Sequence, residues 1–302
     1  MGCINKHSGD AKWSQNDAEV IDCIQCGYAH VLPLPSAEDL QRFYAEEFYS
    51  DEIPYYIDSN IADQKWWEIV FKSRLNVFEK MLPSRLGKSV IDVGSGPGFF
   101  LKFAIEDGWK ALGVEPSKVA VEHTKSLGAN AIEGFFDQKM VDQLEPVSAI
   151  HASEVLEHVP NPGEILDLFH QVLLPEGVIC ICVPNDFNDF QDALTKFEGY
   201  PSWWVSTHHH LNYFNHKSLS SLIQKHRFKI EKITSTFPID LFLMMGDNYI
   251  GNDELGKICH QKRMNFELLL HKAGLDSLRD ELYQKFSECG LGREVLIYAR
   301  KI

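Results

Sequence analysis

The run Val90-Ile91-Asp92-Val93-Gly94-Ser95-Gly96-Pro97-Gly98 limits what this chain can fold into more than any other stretch. Its apolar residues around Asp92 read as a buried strand, and the alternating glycines force a tight turn of the kind that residues lacking a Cβ adopt without strain. Phe100, Leu101 and Ala104 then share one face of a helix that stops near Gly108. A strand that feeds a helix through such a turn is the repeating unit of a parallel sheet, and the turn lets a ligand approach the backbone closely.

The same rhythm continues downstream. Residues 111–114 form a second strand ending at Glu115, and Ser117 is placed to cap the helix after it. Residues 131–132 offer a short third strand and 147–152 a fourth. Ile165, Leu168, Phe169, Val172 and Leu173 share a helical face that the turn Pro175-Glu176-Gly177 ends, and 178–183 make a fifth strand. Asn215 caps a further helix, and residues 228–233 and 294–299 close the pattern as two strands. Two stretches break the rhythm. Residues 187–214 are aromatic and His-rich, too irregular for a core element, and long insertions of this kind carry function. Residues 241–289 read as a helical insertion with Phe266, Leu269, Leu270, Leu275, Leu278, Leu282 and Phe286 at helical spacings, expected to cover the core. A helix is expected over about 61–82, before Pro83.

Glu115 lies 21 residues beyond Gly94, where an acid at the end of the second strand can accept hydrogen bonds from ribose hydroxyls. A dinucleotide fingerprint needs a third glycine three residues after Gly96, and the chain has Phe99 there. A nicotinamide-dependent oxidoreductase is therefore the weaker alternative, beside a cofactor-binding scaffold without catalysis. The glycine run resembles the first motif of the class I S-adenosylmethionine-dependent methyltransferases. Glu115, Asp137 and the segment Ala152-Ser153-Glu154-Val155-Leu156-Glu157-His158-Val159-Pro160 resemble later motifs of that family, in the same order.

The resemblance implies an α/β fold with a Rossmann-like seven-stranded sheet whose last strand is antiparallel, flanked by helices. It implies S-adenosyl-L-methionine as cofactor. The contacts it places are Asp92, Gly94, Ser95, Gly96, Gly98, Glu115, Pro116, Asp137, Ser153 and Glu154, with Asp92 near the methionine amino group. Glu157 and His158 are read as polar residues at a helix start that line the same wall.

Near the N-terminus Cys23-Ile24-Gln25-Cys26-Gly27 forms a Cys-x-x-Cys-Gly knuckle, and zinc takes four thiolate or imidazole ligands. Cys3 and His7 can supply the second pair, with His30 as a rival, and two buried thiols are the alternative. A subgroup of the methyltransferases that the chain resembles, including sugar methyltransferases of deoxysugar and surface-polysaccharide pathways, begins with a zinc-binding module. Its usual ligands are all Cys, so the metal set Cys3, His7, Cys23 and Cys26 departs from it. Cys180 and Cys182 alternate along a strand and read as packing. The expected organisation is a zinc-ribbon-like module over 1–50, a linking helical segment over 51–85, and a methyltransferase domain over 86–302 with insertions at 186–215 and 238–290.

The segment 203–214 combines Trp203 and Trp204 with His208, His209, His210, Asn212 and Tyr213, just past the fifth strand and on the ligand-binding edge of the sheet. Imidazoles near neutral pKa suit a general base. The subgroup commonly reads Glu-His-x-x-Tyr-Phe here, which makes His210 the matching base, assisted by His209 or Asn212; His209 stands where the subgroup has Glu. Tyr55 and Tyr56 read as aromatic packing. The acceptor implied by the subgroup is a small polar molecule such as a nucleotide-linked sugar.

Composition sets the remaining bounds. A formal charge of -14 argues against a nucleic-acid partner. No apolar run approaches the roughly 18 residues of a membrane span. Seven Cys in 302 residues do not make a disulfide framework, and the N-terminus has no secretory pattern, so a cytoplasmic monomer or homodimer is expected.

Overall fold

The computed structural model describes residues 7–45, 56–208 and 210–302. In chain order the elements are β1 (Gly9–Gln15), β2 (Ala18–Cys23), β3 (Ala29–Leu32), α1 (Ala37–Arg42), α2 (Tyr56–Ala62), α3 (Gln64–Met81), β4 (Ser89–Val93), α4 (Phe99–Glu106), β5 (Lys110–Glu115), α5 (Lys118–Ser126), β6 (Asn130–Glu133) and α6 (Gln138–Val141). They continue with β7 (Val147–Ser153), α7 (Pro162–Val172), β8 (Leu173–Pro184), α8 (Asp189–Phe197), β9 (Asn212–Tyr213), α9 (His216–Lys225), β10 (Phe228–Ser235), α10 (Asp240–Met244), α11 (Asp253–Lys272), α12 (Asp276–Glu288) and β11 (Glu294–Lys301).

Seven strands form one sheet in the order β10-β11-β8-β7-β4-β5-β6. β7, β4, β5 and β6 pair in parallel, and β11 runs antiparallel to both β8 and β10. The expected Rossmann-like α/β sheet with an antiparallel last strand is therefore present. Side chains 178–183 of β8 are fully buried, because the strand is sandwiched between helical layers and must be apolar on both faces. Ser117 and Asn215 cap α5 and α9 as expected, each accepting backbone N–H bonds from the first turn. Cys180 and Cys182 lie in the core.

Three features differ from the sequence reading. The turn expected at Pro175-Glu176-Gly177 is present as a bulge inside β8 rather than before it: the strand starts at Leu173 opposite Val147, steps to Val178 opposite Ala149, and Glu176 takes a positive φ of 63° between them. Segment 187–214 contains α8, closed by a capping box between Asn188 and Gln191, and it buries Trp204, Leu211, Tyr213 and Phe214. The insertion does not bury its leucine face: Leu269 is 66% exposed, and Leu275, Leu278 and Leu282 are also on the surface. Glu267, Arg279 and Tyr283 point inward instead, over a cavity described below.

A second, antiparallel sheet has the order β1-β2-β3-β9. Its first three strands come from the N-terminal segment and its fourth from the His-rich insertion, with His30 paired to Asn212 and Ala29 to Tyr213. Val31 N–H also donates to the Leu211 carbonyl at 2.8 Å. The N-terminal module is thus stitched to the candidate acceptor segment. Among the described residues no helix is long and apolar enough to cross a membrane.

Candidate active site

One cavity of about 960 Å³ opens along the C-terminal edge of the parallel strands, the usual ligand edge of such sheets. Gly94, Ser95, Gly96, Glu115, Pro116, Asp137, Ser153 and Glu154 all line it, as do Asp92, His158 and His210. The turn after β4 is shaped by backbone that L-residues resist. Gly94 has φ 66°, and a Cβ there would stand 2.7 Å from Val155 Cγ2. Gly98 is not among the lining residues. It sits at φ 84° against Thr124, whose Oγ1 a Cβ would meet at 2.4 Å, so its role is to pack α4 against α5.

Glu115 is held at both oxygens. Oε2 accepts from Gly96 N–H and Oε1 from Ser117 N–H, each at 2.9 Å. Burial outweighs these bonds and pushes its carboxyl up to about 7. Each oxygen keeps a lone pair, so two vicinal hydroxyls fit it. Asp137 caps α6 by accepting from Met140 N–H at 2.8 Å. Glu154 occupies a positive φ of 57°, a strained position for a residue with a side chain, at the mouth of β7.

Behind Asp92 lies a polar chain that sequence reasoning missed. Arg74 of α3 donates from Nη1 to His151 Nε2 at 2.9 Å and to Ser153 Oγ at 3.2 Å. Arginine has no acceptor, so His151 Nε2 is the lone-pair nitrogen and its Nδ1–H donates to Asp92 Oδ1 at 2.7 Å. Burial lowers the His151 pKa, which agrees with a neutral ring, and the ring stacks on Phe100 at 4.0 Å. Arg74 is 4% exposed, lines the cavity, and has no carboxylate within ion-pair reach among the described residues. The one signal in the sequence was a lone His inside an apolar strand run.

On the opposite wall the His158 and His210 rings meet edge to face at 5.1 Å, and the Tyr44 hydroxyl lies 2.8 Å from His158 Nδ1. One ligand atom each from Glu157, His158 and His210 falls within 4.8 Å of the others. Burial, and then Glu154 beside it, push the Glu157 carboxyl well above its ordinary range. Asn212 is not positioned to assist His210. Its amide donates to the Leu156 and Val159 carbonyls at 2.9 and 2.7 Å, pinning the loop after β7, and it lies outside the cavity lining. His209 and Tyr55 lie outside the described residues.

The second cluster lies in the N-terminal sheet. His7, Cys23, Cys26 and His30 bring their ligand atoms within 4.8 Å of one another. His7 Nδ1 is 3.6 Å from Cys23 Sγ and 3.5 Å from Cys26 Sγ. Zinc–sulfur bonds of about 2.3 Å and zinc–nitrogen bonds of about 2.0 Å give a tetrahedral edge of roughly 3.5 Å, so the donor set fits the metal. His30 Nδ1 lies 3.0 Å from the Val31 carbonyl, which fixes its proton there and leaves Nε2, buried and without a partner, for a ligand. Gly27, at φ 78°, closes the knuckle by donating to the Cys23 carbonyl. Cys3 lies outside the described residues, and the structure brings His30 into the set.

Comparison with known proteins agrees with this architecture. A SAM-dependent methyltransferase from Archaeoglobus fulgidus superposes with a TM-score of 0.50 at 17% identity, over 80% of this chain and 98% of that one, which shows a shared fold. The ubiquinone biosynthesis O-methyltransferase of Actinobacillus pleuropneumoniae serotype 5b is 28% identical over 139 residues, 40% of this chain and 59% of its own length. Its counterpart from Shewanella sp. is 25% identical over 178 residues, 53% of this chain and 75% of its own. The match thus spans about three-fifths of the first of these relatives. The methyltransferase-domain family model matches residues 66–233, more than half of the 302 residues, and with the seven-stranded sheet and its glycine turn this places the chain in that family of enzymes, with the fold of the S-adenosylmethionine-dependent class.

Proposed function

We propose that the protein transfers a methyl group from S-adenosylmethionine to a small polar acceptor. The observation that carries this reading is the single cavity into which both the glycine turn with Glu115 and the imidazoles of His158 and His210 open. When bound, the cofactor supplies an electrophilic methyl group on a sulfonium. Asp92 has its second oxygen left for an ammonium, and Arg74 faces the same space as the counter-charge for a carboxylate, so the pair suits an amino-acid zwitterion. Glu115 would accept from two ribose hydroxyls, and Gly94 and Gly96 would let the ligand reach the backbone. Pro116, Asp137, Ser153 and Glu154, which line the same cavity, would complete the cofactor's contacts.

His210 acts as the base that removes a proton from the acceptor nucleophile, with His158 beside it on the same wall at ring contact. The apolar walls, Trp67, Phe71 and Val155 among them, exclude water and hold the two reactants in line. The acceptor class, a nucleotide-linked sugar, rests on the resemblance of the N-terminal knuckle and the His-Leu-Asn-Tyr-Phe segment to the zinc-bearing sugar methyltransferases. His7, Cys23, Cys26 and His30 would hold the structural zinc of that module, and residues 238–290 form the lid over the acceptor. The oxidoreductase alternative gains no support, since Phe99 fills the fingerprint position and is 5% exposed.

The test is a radiolabelled methyl-transfer screen over nucleotide sugars with calorimetry on S-adenosylhomocysteine. His210→Gln is expected to lower kcat by about 10²–10⁴-fold with cofactor affinity unchanged. Full turnover in that variant removes the base assignment; no adenosyl binding at all removes the proposed function.

The convergence of Glu157, His158 and His210 within 4.8 Å favours a second reading of the same wall, as ligands of a divalent cation that binds the acceptor oxygen. A chelator that abolishes turnover, restored by magnesium or manganese but not by zinc at the N-terminal site, decides for it.

A further inference from the structure

We infer that Tyr44, carried by the N-terminal segment, is a positioning residue of methyl transfer: its hydroxyl fixes the ring of His158 and, through that ring, the plane of His210. The inference deepens the methyl-transfer reading and rests on it. Tyr44 follows α1 directly and lines the same cavity as the glycine turn, although 114 residues separate it from the imidazole it touches.

The N-terminal sheet brings it there. Ser36 caps α1 by accepting from Asp39 N–H at 3.1 Å, and Leu40 packs with Val31 and Leu211 into a small apolar cluster against which Tyr44 lies. Val31 N–H also holds the Leu211 carbonyl, so strand pairing and packing together seat α1 beside the residue that follows His210. Packing of this kind asks only for an aromatic ring, and phenylalanine would supply one. The hydroxyl has a separate task. On a half-buried tyrosine it would ordinarily reach water, yet here it turns to His158 Nδ1 at 2.8 Å, with the two rings edge to face at 5.4 Å.

A phenol keeps its proton at neutral pH and donates it to the ring nitrogen, which therefore carries the lone pair. The proton of a neutral His158 is thereby placed on Nε2, the nitrogen 3.9 Å from Glu157 Oε1. With Nδ1 engaged by the phenol and Nε2 protonated, His158 offers the cavity no basic nitrogen, and that work falls to His210. The second ring is fixed in turn. His210 meets His158 edge to face at 5.1 Å, while its N–H donates to the Ser206 carbonyl at 2.8 Å and Ser206 N–H donates to the Tyr213 hydroxyl at 3.1 Å. The insertion thus sets where the backbone of His210 stands, and Tyr44, by way of His158, sets how its ring faces. A displacement of about 1 Å at a reacting group can cost about a hundredfold in rate, so a residue that does not meet the reactants still governs turnover.

The experiment uses the full chain isotope-labelled at the histidine nitrogens and saturated with S-adenosylhomocysteine, read by two-bond proton–nitrogen correlation spectra, with His158→Gln and His210→Gln assigning the signals. His158 is expected as the Nε2–H tautomer. In Tyr44→Phe, which keeps the ring and its packing, the two nitrogen shifts of His158 should move toward each other and the His210 signals should shift, while those of buried His151 stay. Calorimetry should find S-adenosylhomocysteine bound as in the parent, which reports a folded cofactor site. In turnover with a nucleotide sugar, Tyr44→Phe should lower kcat about tenfold or more with KM little changed, and it should cost nothing further in a His158→Gln background. His158 and His210 signals unchanged in Tyr44→Phe, or losses that multiply in the double variant, overturn the inference. Failure of the parent to bind S-adenosylhomocysteine strikes the methyl-transfer reading instead, and absence of turnover on every nucleotide sugar strikes the acceptor class; the spectra of the free protein test Tyr44 in either case.

Discussion

Nδ1 of His151 donates to Oδ1 of Asp92 at 2.7 Å, with both side chains buried inside the sheet. Arg74 closes the chain from the other side, so the orientation of the carboxylate facing the cavity is set by a cation two hydrogen bonds away. Removing the middle member strands both charges. His151→Leu is expected to cost about 3 kcal/mol, read from urea unfolding, and to weaken S-adenosylhomocysteine binding in calorimetry. A cost under about 1 kcal/mol would show that Arg74 and Asp92 find other partners.

Glu115 gives the free protein a pH dependence of known sign. Its folded pKa of about 7 lies above the ordinary 4.5, so the protonated form is favoured by folding; the stability this contributes is full below 4.5 and is lost as pH rises to about 7, an amount of about 3 kcal/mol. Ribose hydroxyls need the ionised form, so S-adenosylhomocysteine affinity should rise up to tenfold between pH 6 and 7 and level off above, with proton release detectable by calorimetry in two buffers. Glu115→Gln should bind more weakly and lose the slope.

The close approach at Gly94 predicts a rescue. Gly94→Ala should destabilise by about 1–2 kcal/mol from its left-handed backbone and the collision with Val155. Val155→Ala in the same chain should recover the steric part but not the backbone part. A double-mutant cycle with zero coupling would place the whole cost in the backbone.

One zinc per chain is expected from metal analysis of the purified protein. His30→Ala should lower it, since the ring is held with Nε2 free. Retention of a full equivalent in His30→Ala would assign the fourth position to another residue, Cys3 being the available candidate.

How much of this was legible beforehand follows from the range of the interactions involved. The glycine turn, Glu115 and the Cys-x-x-Cys knuckle are local patterns, and each stands where its spacing placed it. Arg74 and His151 were not visible because an amphipathic helix and an apolar strand each tolerate one polar residue, and only their meeting across the sheet gives them a partner. The helical insertion misled for a related reason. Periodicity locates a face of Phe266, Leu269, Leu275, Leu278 and Leu282 but cannot say whether the helix turns it inward, and here Glu267 and Tyr283 face in, hydrogen-bonded to each other over the cavity. Asn212 was assigned to chemistry by its neighbourhood, and the loop carbonyls of Leu156 and Val159 had the stronger claim on its amide.

The pairing of β3 with β9 carries a consequence for inhibition. His30, a zinc ligand in the proposed set, is the strand partner of Asn212, and Val31 holds Leu211, the residue next to His210. Withdrawal of the metal would therefore loosen the strand that fixes the acceptor-side imidazole while the glycine turn, which belongs to the other sheet, stays as it was. A chelator should then behave toward S-adenosylmethionine as a purely noncompetitive inhibitor: turnover falls, and the cofactor is held as tightly as before.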